Sequence, residues 1–151
     1  MYHAIVRRQV RKLFERDLSG GDWRAAMSGV AEDVHHVFPG DHAMGGERHS
    51  RAAMERWFER VYRLLPGLEF EVRRVAVRGW PWSTWVAVEW IDRTTPVEGE
   101  PYENEGAHWI HLRWGKATYI HAYLDTQRVA ETCERLAAQG IEEAAAEPIT
   151  A

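Results

Sequence analysis

From Ala4 to Leu18 the apolar residues Val6, Val10, Leu13, Phe14 and Leu18 recur at helical spacing, and Ser19-Gly20-Gly21 stops the pattern. Asp22 caps a second, short helix holding Trp23, Ala26, Met27 and Val30. The run 34–38, VHHVF, predicts a short strand ended by Pro39-Gly40, and 41–50 predicts a loop. Ser50 then caps a third helix, with Met54, Trp57, Phe58, Val61 and Leu65 on one face and Pro66-Gly67 as its end. Four strands are expected next, over 68–78, 84–92, 102–114 and 117–125, the last two joined by a Gly115-Lys116 turn. A final helix runs from near Thr126 to Gln139, with Gly140 as its stop, and the tail from about 141 is expected to be loosely held.

Helices come early and strands late. That order predicts an α+β fold, a single domain over 1–151, with helices on one face of a curved antiparallel sheet. A sheet wrapped around helices leaves a conical cavity open at one end, which suits a small molecule.

Strand side chains alternate between faces. In 102–114 the more apolar set is Tyr102, Asn104, Gly106, His108, Ile110, Leu112 and Trp114, so His108 and Asn104 are expected inside and Trp109 outside. In 117–125 the inner set is Thr118, Ile120, Ala122 and Leu124. Trp109, His111, Tyr119, His121 and Tyr123 then make an aromatic outer face, larger than a monomer usually leaves in water. The tail or arginine stems would cover it, or a second copy would; the homodimer is the favoured expectation.

Composition removes several classes. With 45% hydrophobic and 28% charged residues, the chain is an ordinary globular one. No apolar run reaches membrane-spanning length, so no membrane partner is expected. A net charge of −4 without a basic block argues against nucleic acid. The lone Cys133 and the absence of a signal-like leader point to the cytoplasm. The glycine pairs lack the context and lysine of a phosphate loop. The pairs His35-His36 and His108-His111 follow no recognised ligand spacing, so no metal is expected.

The segment DVHHVFPGDHAMGGERHSRAAMERWFERV resembles the strand, Pro-Gly loop and helix of SnoaL-like proteins of the NTF2-like superfamily, and PYENEGAHWIHLRWGKATYIHAYLDTQRV resembles their last hairpin and following helix. The resemblance implies a cone of one bent sheet around three N-terminal helices, a C-terminal helix and a homodimer. It also implies a reaction type among those of cyclases, ketosteroid isomerases, dehydratases and epoxide hydrolases, or a protein that only binds. In SnoaL-type cyclases an inward histidine on the penultimate strand works with an inward aspartate across the hairpin. His108 matches the histidine, but the position for the aspartate falls on Ala122.

Candidate roles follow. His108 is placed as base, as ligand contact or as hydrogen-bonded wall; His36 and Asp41 are further catalytic candidates. Asn104, His42, Phe38, Trp57, Trp90, Ile120 and Ala122 are expected to contact the ligand, with Asp41 and His42 in a loop near the mouth. Asp92 shares its face with Trp90 but reads as the start of a turn, and Asp125 as the cap of the last helix. In GWPWSTW (79–85), Trp80, Trp82 and Trp85 either guard the mouth or meet a partner, or pack against the tail and third helix. The expected function is a cofactor-independent acid–base enzyme acting on a largely apolar carbonyl compound or epoxide. The alternative is a non-catalytic pocket that binds or sequesters such a molecule, which the missing acid at Ala122 favours.

Overall fold

A computed structural model describes residues 1–95 and 100–151. α1 (Tyr2–Lys12) continues into a π-helical stretch, Leu13–Leu18; then follow α2 (Trp23–Met27), β1 (Val30–Phe38), β2 (Gly46–Arg48), α3 (Arg51–Leu64), β3 (Glu69–Trp80), β4 (Ser83–Thr94), β5 (Tyr102–Arg113), β6 (Lys116–Leu124), α4 (Thr126–Ala138) and a short 3₁₀ turn, Glu142–Ala145. The six strands form one sheet in the order β2-β1-β6-β5-β4-β3. The architecture is the expected α+β one. Within it β1 pairs with β6 in parallel, so the sheet is mixed at that joint.

Capping follows the sequence. Asp22, Ser50 and Asp125 each accept backbone N–H bonds at the start of α2, α3 and α4. The stripe Val6, Val10, Phe14 and Leu18 packs on the sheet with Val86, Val88, Trp90 and Ile110, so helix and strand periodicities meet in one core. A second cluster joins Trp57, Val61 and Leu64 of α3 to Val129, Cys133 and Leu136 of α4.

Four differences from the sequence reading have local causes. β2 forms inside the expected loop, pairing His36 with Arg48; three residues are too few to show a period. The hairpin turn is Trp114-Gly115, one residue earlier than read, since Arg113 pairs with Lys116. A bulge between His111 and Leu112 puts Ala117, not Thr118, on the inner face; the Thr118 hydroxyl instead lies 3.2 Å from Nδ1 of His111. The tail is tied down: Arg60 and Arg63 pair with Glu143, and Arg48 Nε donates to the Ile149 carbonyl at 2.7 Å.

The outer face has the expected residues. Trp109 and Tyr123 are exposed; Trp85 stacks on Trp109 and His111, and His121 on Tyr123. Among the described residues no helix is long and apolar enough to cross a membrane.

Candidate functional site

Helices and sheet enclose a cavity of about 360 Å³, walled by α1 and its π-helical extension, α2, α3 and the inner faces of β1 and β3 to β6. The volume is within the range of small-molecule sites. The lining residues that solvent reaches freely are Gln9, Lys12, Ala25, Ser28 and Gly115, so the mouth lies between α1, α2 and the β5–β6 turn. This corrects the expected mouth at the Asp41–His42 loop.

Inward residues of β5 and β4 order the cavity by depth. Leu112, Ile110 and His108 come in turn from the mouth. His108 pairs with Val88, Gly106 with Trp90 and Asn104 with Asp92, so Asp92 lies deeper than His108 and Trp90, at the level just above Tyr102. Four residues of β4 from the His108 level to Asp92 span roughly 13 Å of strand.

Gly106 is what lets Trp90 lie between them. A Cβ there would come within 2.8 Å of the Trp90 ring and 2.6 Å of the Tyr123 carbonyl oxygen. Lying over that glycine, the indole Nε1–H donates to Nδ1 of His108 at 2.8 Å. With Nδ1 accepting, the neutral imidazole carries its proton on Nε2. Burial, then the His121 charge, depresses the pKa of His108 to about 4. At neutral pH His108 is therefore an uncharged N–H donor.

His36 repeats the arrangement on β1. Its Nδ1 lies 2.9 Å from Nη1 of Arg48, which can only donate. Burial, then the Arg48 charge, holds His36 well below its ordinary pKa. Arg48 is itself fully buried, bound to the Gly45 and Ile149 carbonyls and set over the Trp57 ring. Burial pulls its pKa down to about 10, which leaves it charged.

Asp92 differs from both histidines. It is 5% exposed and lines the cavity, and its Oδ1 is buried without a hydrogen-bond partner among the described residues. Burial pushes its pKa up to about 7, against the opposing pull of the backbone N–H groups of Asp92 and Asn104. The same cavity end holds Tyr62 and Tyr102, both pushed above the usual phenol range by burial first and the Asp92 charge second. Tyr62 donates to the Leu18 carbonyl at 2.6 Å, while Tyr102 accepts from Asn104 and keeps its own O–H free to donate.

Of the residues singled out from sequence, His108, His36, Phe38, Trp57, Trp90 and Ile120 line the cavity together. Four do not. Asn104 is buried but spent on structure: its amide donates to Tyr102 and to the Asp125 carbonyl, and its oxygen accepts from the N–H groups of Glu105 and Asp125. His42 braces its own loop, with Nδ1 accepting from Met44 N–H and Nε2 3.1 Å from the Pro39 carbonyl. Asp41 is exposed on that loop. Ala122 is fully buried opposite His108, as hairpin spacing predicts, and is too short to form part of the wall. Asp92, read from sequence as the start of a turn, lines the cavity as well. Its parity with Val86, Val88 and Trp90 was the available signal, and a turn assignment overrode it.

Among the described residues one trio of potential metal ligands converges, His35, Glu47 and His49, with donor atoms within 4.8 Å of one another. It lies on the sheet edge and belongs to no part of the cavity wall.

The sequence profile of the SnoaL-like domain matches residues 10–120. No curated protein matches the chain. Solved structures do. TerC, co-crystallised with polyporic acid, is 24% identical, with a TM-score of 0.66 over 78% of this chain and 90% of its own. An NTF2-like protein of unknown function from Burkholderia pseudomallei K96243 is 17% identical, with a TM-score of 0.70 over 83% and 94%. A protein of Xanthomonas campestris pv. campestris, provisionally assigned as a polyketide cyclase, is 24% identical, with a TM-score of 0.57 over 76% and 86%.

Proposed function

The chain belongs to the SnoaL-like domain family, with an NTF2-like fold and a small-molecule pocket, and we propose that it is a cofactor-independent acid–base enzyme whose titrating group is Asp92. The observation that carries this reading is a deep carboxyl, one of whose oxygens has no partner among the described residues, in the wall of a largely apolar cavity. Leaving such an atom unbonded costs about 1–3 kcal/mol, a cost that a bound substrate can offset.

The substrate is a largely apolar, enolisable carbonyl compound, flanked by Phe14, Phe70 and Trp90. The Asp92 carboxylate removes a proton from a carbon joined to the carbonyl through conjugated double bonds, and the Nε2–H of His108 donates to the distant oxygen as it gains charge. The separation of the two groups along the strands suits an extended or conjugated substrate. The base assignment thus moves from His108 to Asp92, because the only nitrogen of His108 free to accept a proton already accepts from Trp90. The similar Xanthomonas protein, provisionally assigned as a polyketide cyclase, supports the substrate class.

The test is proton–deuterium exchange at the conjugated γ-carbon of a panel of extended apolar enones, followed by NMR. Exchange rising with pH through about 7 is expected. Asp92→Asn is expected to lower it roughly 10²- to 10⁴-fold and His108→Gln less. Exchange that survives Asp92→Asn but is lost in His108→Gln would return the base to the histidine. Ketone binding without exchange would favour the sequestering alternative, which Ala122 in place of the cyclase acid supports.

The reading includes a homodimer through Trp109, His111, Tyr119 and Tyr123, supported by the exposure of Trp109 and Tyr123. Sedimentation at twice 17.5 kDa is expected, and a species of single-chain mass at micromolar concentration would rule it out.

A further inference from the structure

Two hairpin tips and the start of α1 meet at the mouth end of the cone. The Trp114 N–H donates to the Pro81 carbonyl at 2.7 Å, joining the tips. Tyr2 reaches Thr84, and His3 lies 2.7 Å from the Gly79 carbonyl and against Trp80. Three indoles stand out into solvent there: Trp80 is 57% exposed, Trp82 55% and Trp114 72%. They neighbour one another, with ring centroids 6.3 Å apart from Trp80 to Trp82 and again from Trp82 to Trp114. Ile5, 45% exposed, lies on the adjoining first turns of α1. Of the three tryptophans of 79–85, Trp80 and Trp82 stand exposed here and Trp85 stacks on Trp109 and His111 of the outer sheet face.

The Trp114 backbone argues that this exposure is selected. Trp114 and Gly115 form a two-residue turn with φ of +50° and +78°. Such a turn favours Asn-Gly, and a bulky residue at positive φ costs on the order of a factor of ten in stability. The chain bears that strain to hold its most exposed tryptophan at the tip.

The charges around the indoles have one sign. Segments 1–14, 72–88 and 106–124 contain no Asp or Glu, although the whole chain has a net charge of −4. They carry Arg113 and Lys116, which flank the Trp114-Gly115 turn, Arg78 two residues before Trp80, and Arg7 and Arg8 on α1. Glu32 and Asp33 lie to one flank on β1, and Glu32 is 3.5 Å from Arg51. Exposed indoles on segments whose charges are all basic match the interface of an anionic bilayer, where tryptophan sits at headgroup level and cations meet the phosphates. Gly115 belongs both to the turn and to the rim of the cavity.

We infer that this end of the protein docks reversibly on anionic lipid bilayers, so that an apolar ligand dissolved in the bilayer enters the cavity past Gly115. This goes beyond the expectation that no membrane is a partner, which rested on the lack of a spanning segment. The docking stands on the surface itself; only the entry of a ligand rests on the function proposed above.

Co-sedimentation with vesicles needs no ligand, so it can fail independently of that function. The full chain is mixed with phosphatidylcholine vesicles, with and without phosphatidylglycerol. Pelleting is expected only with phosphatidylglycerol, and raised salt is expected to weaken it. Replacing Trp80, Trp82 and Trp114 together by Ser should abolish pelleting without lowering the unfolding temperature. Arg113→Glu with Lys116→Glu should weaken it at least roughly tenfold. Absence of pelleting by the native chain, or equal pelleting on neutral vesicles, overturns the inference. Binding to immobilised polyglutamate without vesicle binding also overturns it, and assigns the surface to an acidic protein.

Discussion

Asp92 and Asn104 face each other across the β4–β5 ladder, both buried on the inner side of the sheet. On the Asn104 side every polar atom of the side chain has a partner, drawn from Tyr102, Glu105 and the start of α4. On the Asp92 side one carboxyl oxygen has none among the described residues. Two adjacent polar residues of similar size thus do different things. Asn104 locks the β5–β6 hairpin to the cap of α4, and Asp92, a residue of the cavity wall, keeps a buried acceptor without a partner among the described residues. Burial alone does not single out a candidate; a residue of the cavity wall with a buried polar atom unpartnered among the described residues is one.

The comparison can be broken most strongly at Asn104. Asn104→Ala orphans the Asp125 and Glu105 N–H groups and the Asp125 carbonyl, and should cost about 2–4 kcal/mol of unfolding free energy in urea. Asp92→Asn should do the opposite above neutrality. A carboxyl whose pKa is raised from 3.8 in the unfolded chain to about 7 in the folded one loses stability as pH rises through that window, since only the folded form keeps the proton. The variant should therefore match the native chain near pH 4 and exceed it by about 1–3 kcal/mol at pH 8. The native chain offsets this slope between pH 4 and 6.5. There the neutral His108, with its pKa lowered to about 4, destabilises the fold as pH falls, because the unfolded imidazole takes up a proton first. In Asp92→Asn the His108 slope stands uncovered, so stability should rise with pH over that window. Equal pH dependence in the two chains would remove the contrast between Asp92 and Asn104.

The sequence carried the architecture because it was written in periods. The stripe from Val6 to Leu18, the caps at Asp22, Ser50 and Asp125, and the alternation of β5 were all legible, and the alternation put His108 inside and Trp109 outside as found. Hairpin spacing also set Ala122 opposite His108. What depends on distant partners was not legible. Asn104 is consumed by Asp125, 21 positions away, and only the fold reveals that. Thr118 was misplaced because a bulge shifts parity without altering composition. The tautomer of His108 is set by Trp90, which reaches it only because Gly106 leaves room. Asp92 was readable by parity, but a turn-forming residue at a strand end has a bland explanation, and only its unpaired oxygen displaces that explanation.

The central claim is that a carboxyl ionises near neutrality deep in the cavity. The most direct measurement is an NMR titration of the aspartate side-chain ¹³C carboxyl resonances in the native chain, with Asp92→Asn assigning the signal. The account predicts one aspartate titrating near pH 7, lost in the variant. An Asp92 resonance with its midpoint close to the ordinary aspartate value of ~3.9 would contradict it.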